Sequence, residues 1–228
     1  MTESTAARVQ SQVLASEDRF WRAEDFAEDS HAVVTALKRL VDSGELKRIR
    51  RDLYWRGRKT RFGMTSPDAL EILEKVVGAD VAVGATGWHA SNLLGLSTQV
   101  VPEPMFAVST RIPAGLSSMR LVDRSARTGR NRAQLTPTEV TFLEALDGWD
   151  SFVELDNKRA LTRFSWLIED QTCRVDRLVE ASDTESAAVR ERLRAVLEHA
   201  GQHEAAETVP PARSGSARAR AQAVLVGA

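Results

Sequence analysis

The sequence predicts an α+β protein in two parts, an N-terminal winged helix-turn-helix and a mixed α/β C-terminal domain. Three observations predict it. Residues 20–55 read FWRAEDFAEDSHAVVTALKRLVDSGELKRIRRDLYW, a short helix, a longer capped helix and then a basic two-strand hairpin. Residues beyond 63 interleave short apolar runs with helical stretches. The chain has 228 residues, 43% of them hydrophobic, enough to bury a core without disulfides.

The elements follow in order. Residues 4–15 read as a helix through Ala7, Val9, Val13 and Leu14. Phe20 and Trp21 enter the first core, and a short helix covers 23–27. Ser30 is a favourable N-cap. Behind it Val33, Leu37, Leu40 and Val41 fall on one helical stripe, and Gly44 stands where a left-handed C-cap belongs. Leu46, Ile49, Leu53 and Trp55 give the hairpin its apolar contacts. The predicted domains are 1–62 and 63–200, with a linker at 56–64 and a flexible tail at 201–228 rich in Ala, Arg, Ser and Pro. Within the second domain, helices are expected at 68–77, 87–94, 137–146, 157–168 and 184–199, the second of them opened by Gly87 and stopped by Gly95. Strands are expected at 81–83, 105–108 and 119–122. Thr136 should cap the helix beginning at Pro137.

Charge is unevenly placed. Residues 1–62 carry 13 Lys+Arg against 10 Asp+Glu, and the remainder carries 18 against 22. Within 38–61 stand Lys38, Arg39, Lys47, Arg48, Arg50, Arg51, Arg56, Arg58, Lys59 and Arg61, opposed only by Asp42, Glu45 and Asp52. Such a stripe suits a phosphate backbone. No apolar run reaches the ~20 residues of a membrane span, and the first residues lack a signal core, so a cytoplasmic protein without membrane contact is expected. The single Cys173 precludes an internal disulfide and the common zinc ribbons and fingers. No cofactor, metal site or catalytic constellation is expected: no nucleophile elbow, kinase signature, GxGxxG or GxxxxGK[ST] occurs, and the four histidines are scattered.

Candidate binding residues follow from the stripe. In a helix-turn-helix the second helix enters the major groove. His31, Val34, Thr35 and Lys38 lie off the apolar stripe and are the candidates for reading base edges or lining the groove, and Ser30 at the cap is a further candidate DNA contact. Arg39 would reach a phosphate or brace the hairpin. Lys47, Arg48, Arg50 and Arg51 would hold phosphates, while Tyr54 and Trp55 belong to the core. The glycine turn at Gly84 and Gly87 reads either as close strand–helix packing or as a phosphate cradle. His89 reads as packed or exposed. A second basic cluster, Arg111, Arg120, Arg124, Arg127, Arg130 and Arg132, faces only Asp123 in the sequence and is a candidate partner-binding surface.

Two segments together resemble the AbiEi antitoxins of bacterial AbiE-type toxin–antitoxin systems. The first is residues 20–55, through Phe26, Leu37, Arg39, Leu40, Gly44, Arg48 and Tyr54. The second, and more specific, is GATGWHASNLLGLSTQVVPEPMFAVST, through Leu94, Gly95, Leu96, Ser97, Thr98, Gln99, Val100 and Pro102. The chain departs from the pattern at Asp52-Leu53, where many relatives carry glycine before the strand tyrosine. The resemblance implies an antitoxin that represses its own operon by binding inverted repeats in double-stranded promoter DNA, as a dimer or a cooperative pair. It also implies a partner toxin resembling a nucleotidyltransferase. Alternatives are an antitoxin that covalently modifies the toxin, for instance by phosphorylation, and a plain winged-helix regulator with a ligand-sensing domain.

Overall fold

A computed structural model describes residues 4–212 and residue 219. The protein is α+β with small sheets, and it divides into two compact units between Ile72 and Leu73.

The first unit opens with α1 (Thr5–Leu14), capped by Ser4. Strand β1 (Arg19–Trp21) leads to a single 3₁₀ turn, Ala23–Asp25, and then to α2 (Ser30–Asp42). Asp29, not Ser30, is the N-cap: its carboxylate accepts from the Ala32 amide at 3.1 Å. The two residues compete for one role, and the carboxylate also suits the positive end of the helix. At the other end Gly44 takes φ +72°, and the Glu45 amide returns to the Leu40 carbonyl at 2.8 Å. That left-handed turn closes the helix and launches β2 (Lys47–Arg50).

β2 and β3 (Leu53–Arg56) form an antiparallel hairpin, and β1 adds to the other side of β3. The register slips once: Arg48 lies opposite Tyr54, whereas Arg50 lies opposite Leu53. Ile49 is therefore the extra residue of a β-bulge. Asp52 closes the turn at φ +63°, a conformation that Asp tolerates better than most side chains, so the tight turn forms without glycine. Val9, Val13, Trp21, Phe26, Val33, Leu37, Leu40, Leu46 and Tyr54 make one buried core, drawing on both helices, the sheet and the segments that link them. Residues 56–64, expected as linker, hold a second small hairpin of β4 (Lys59–Thr60) and β5 (Gly63–Met64).

Helix α3 (Ala69–Val77) spans the boundary between the units. In the second unit β6 (Val83–Ala85), two residues later than expected, pairs antiparallel with β7 (Met105–Val108). β8 (Arg120–Asp123) pairs parallel to β7. Helix α4 (Gly87–Leu93) joins β6 to the long connection before β7. After β8 the chain is helical: α5 (Thr128–Arg132), α6 (Pro137–Asp147), α7 (Trp149–Phe152), α8 (Asn157–Glu169), α9 (Val175–Ala181), α10 (Ala187–His199) and α11 (His203–Thr208). Thr136 and Glu139 form a reciprocal capping box at the start of α6. Helix α10 begins three residues later than the sequence suggests because Ser186 supplies its cap.

Helix α11 lies in the segment expected as a flexible tail. Ala206 and Val209 are buried, Arg194 donates to the Val209 carbonyl at 2.9 Å, and the Ala212 amide donates to Glu191 at 2.7 Å. The rest of the expected tail, apart from residue 219, lies outside the described residues. No described helix is long and apolar enough to cross a membrane.

Candidate nucleic-acid interface

Helix α2 turns Val33, Ala36, Leu37 and Leu40 into the core, which leaves Ser30, His31, Val34, Thr35, Lys38 and Arg39 exposed on its other side. His31, Thr35 and Lys38 are spaced i, i+4, i+7 and so share one face, with Val34 beside them. The Thr35 hydroxyl donates to the His31 carbonyl at 2.9 Å, while Lys38 and Arg39 have no ion-pair partner among the described residues. The acidic residues before α2 are engaged locally. Glu28 holds Arg8 at 2.7 Å, Asp25 accepts from the Arg22 amide at 2.6 Å, and Asp29 is the cap.

The basic stripe separates into two groups. Lys47 donates to the Met64 carbonyl and the Ser66 hydroxyl, each at 2.9 Å. Arg56 and Lys59 both pair with Glu45. Arg58 reaches Asp18 at 3.2 Å, and Asp18 also accepts from the Arg58 amide and the Thr65 hydroxyl. These cations fasten 57–66 to the sheet. Lys47 was expected on a phosphate and instead secures this internal tether. Arg48 and Arg50 have no such partner among the described residues, and Arg51 has only its neighbour Asp52, at 3.7 Å with both side chains largely exposed. Among the described residues of this stripe, the cations available to a polyanion are thus Lys38, Arg39, Arg48, Arg50, Arg51 and Arg61, the last exposed with its guanidinium over the Phe62 ring. Tyr54 and Trp55 are buried, as the sequence suggests.

The second basic cluster is a different object from the one expected. Arg111 and Arg120 are exposed, but Arg124, Arg127 and Arg130 turn inward. Arg130 is 1% exposed; its Nε and Nη2 grip both oxygens of Glu185 at 2.6 and 3.0 Å, and Nη1 reaches Glu144 at 2.7 Å. Arg124 takes both oxygens of Glu144 at 2.8 and 2.9 Å and extends to Asp147. Arg127 donates to the Thr184 carbonyl at 2.8 Å. Arg132 pairs with Asp183 at 2.7 Å. These partners lie 14 to 57 residues away in sequence, which is why the cluster reads as unopposed when only its neighbours are considered. Burial alone would push the Glu144 carboxyl up; Arg124, Arg130 and the Thr86 hydroxyl outweigh it and hold it below the ordinary range. The same contest, won by Arg174, lowers Glu139.

The glycine turn is a packing device. A Cβ on Gly84 would sit 2.6 Å from the Pro137 carbonyl oxygen and 2.7 Å from Val140, so β6 lies directly against α6. Gly87 takes φ +59°. His89 Nδ1 lies 3.0 Å from the Met105 carbonyl and the ring meets Phe106 edge-on.

The segment LGLSTQ is held from both sides. Arg163 of α8 donates to the Leu94 carbonyl at 2.6 Å beside Gly95, whose φ is +71°. Glu154 collects the Ser97 hydroxyl, the Thr98 amide and the Gln99 side chain at 2.8, 2.9 and 3.0 Å. No local pattern signals either clamp, since Glu154 and Arg163 lie more than fifty residues downstream.

Residues 17–115 match the model of a family of unknown function (DUF6088). No curated protein matches the chain. A crystal structure of the RV2827C protein from Mycobacterium tuberculosis is similar over 98% of this chain and 82% of its own, with 16% identity and a TM-score of 0.44.

Proposed function

We propose that the first unit is a winged helix-turn-helix that binds double-stranded DNA, with α2 in the major groove and the β2–β3 hairpin as the wing. The observation that carries this reading is the outward face of α2. His31, Val34, Thr35 and Lys38 are presented together, a few residues from arginines that have no internal carboxylate to satisfy. Side chains on such a face read base edges, and hairpin arginines hold phosphates.

The wider reading is an antitoxin that represses its own operon and counteracts a nucleotidyltransferase-like toxin. It rests on the resemblance of residues 20–55 and of GATGWHASNLLGLSTQV to AbiEi antitoxins. The reading in which the second unit phosphorylates the toxin loses the support of Arg124, Arg127 and Arg130, because those side chains are held by internal partners.

Titrating labelled promoter DNA of the protein's own operon against a scrambled duplex tests the DNA half. A shift that prefers the promoter is expected. Equal binding to both, or none at low salt, rejects it. Co-expression with the neighbouring gene tests the other half: growth arrest relieved by this chain is expected, and arrest that persists rejects it.

A further inference from the structure

Helix α8 buries Ala160, Phe164, Ser165, Leu167 and Ile168 and leaves its opposite side open. Along that open side Arg159, Arg163, Trp166 and Asp170 are separated by four, three and four residues, which places them on one stripe. The Arg159 side chain is 77% exposed, and its one carboxylate neighbour among the described residues, Asp156 at 3.4 Å, is itself 60% exposed. Trp166 is 45% exposed although the Arg163 guanidinium lies 4.5 Å from its ring centroid.

The order of charges is self-complementary. When a second α8 is laid antiparallel and centred between Arg163 and Trp166, Arg159 faces Asp170 of the other copy and Arg163 faces the other Trp166. By symmetry each contact occurs twice, the property of an isologous interface. Arginine stacked on tryptophan and arginine paired with a carboxylate are both favourable there. We infer that the α8 stripe Arg159–Arg163–Trp166–Asp170 is a docking surface for a second copy of this chain, joined through antiparallel α8 helices. A partner of uniformly acidic or uniformly apolar surface matches the stripe less well, because Asp170 would repel the first and Arg159 would be stranded by the second. One helix pair covers less than the ~1,600 Å² of a standard interface, so the dimer is a weak one that forms at high concentration.

Sedimentation of the full chain over a concentration series tests this independently of any DNA reading. Wild type should move from monomer towards dimer. Arg159→Asp alone and Asp170→Arg alone each place like charges in contact and should weaken self-association at least about tenfold. An equimolar mixture of the two variants should restore it. The carboxylate introduced at position 159 of one variant then meets the guanidinium introduced at position 170 of the other, while the native pair survives on the other side of the axis. A wild type that stays monomeric, single variants that associate normally, or a mixture no better than its components would overturn the inference. Should either variant lose its far-ultraviolet spectrum, Arg159→Glu and Asp170→Lys give the same three-way comparison.

Discussion

Arg130 and Glu185 meet in a two-pronged ion pair, 2.6 and 3.0 Å long, with neither side chain more than 1% exposed. Glu144 completes the arrangement by accepting from Arg130 and Arg124 together. The network joins α5, α6 and the connection before α10. Removing one member leaves a buried charge without its counterpart, which costs about 3–5 kcal/mol. Arg130→Met should therefore lower unfolding stability by that amount in denaturant titration, and adding Glu185→Gln should recover part of it. A loss under about 1 kcal/mol would show that the guanidinium is dispensable.

Glu144, together with Glu139 at the start of α6, sets the acid limit. Glu144 and Glu139 are both held below the ordinary glutamate value of ~4.3. Their contribution to stability is complete above that value and is lost as pH falls through their lower folded-state values. Unfolding free energy should decline below pH ~4.3, and Glu144→Gln should flatten that decline while lowering stability at neutral pH. An unchanged slope would remove Glu144 from the explanation.

Gly84→Ala tests the packing account of the glycine turn. The new methyl would press on the backbone of α6 at Pro137 and Thr141, which cannot rotate away. A destabilisation of about 1–3 kcal/mol is expected from overpacking of this kind. Full stability in the alanine variant would mean that the two elements separate easily.

Substitutions in the first unit should fall into two kinds. Lys38→Ala or Thr35→Ala should reduce discrimination between promoter and scrambled DNA by about 1–3 kcal/mol if α2 reads base edges. Arg48→Ala, Arg50→Ala and Arg51→Ala should weaken both duplexes alike and lower the salt slope by about one each. Lys47→Ala should act instead on folding, because it frees Met64 and Ser66. Anisotropy titrations at several salt concentrations separate these outcomes.

Cys173 should be chemically silent in the folded protein. Burial, with the Glu139 carboxylate nearby, pushes its thiol up to about 12, so almost no thiolate forms near neutral pH. Labelling by a thiol reagent should be negligible until denaturant unfolds the chain. Prompt labelling in buffer would show that the thiol is accessible.

Much of the fold was legible because it follows local rules. The stripe Val33–Leu37–Leu40, the Thr136–Pro137 start of α6 and the strand Met105–Val108 each announce themselves within a dozen residues. What escaped depends on distant partners. α5 is the polar run TGRNR, stabilised by Glu185 and Glu144, and α9 is set in place partly by Arg132 reaching the Glu180 carbonyl at 2.8 Å. For the same reason the face of α2 was legible in residues 30–39, whereas the separation of free from tethered arginines was not. Glu45, Asp18 and Met64 decide that, and only the folded chain brings them to Arg56, Arg58 and Lys47.

The bulge at Ile49 has a geometric effect on the hairpin. In an unbroken strand Arg48 and Arg50 would point the same way. Because Arg48 sits across from Tyr54 and Arg50 across from Leu53, and residues directly opposite share a face, the two arginines emerge on opposite sides of the ribbon. One inserted residue thus converts a one-sided comb of charge into a pincer. On the proposed DNA complex, its two tines would reach towards the two banks of a groove at once.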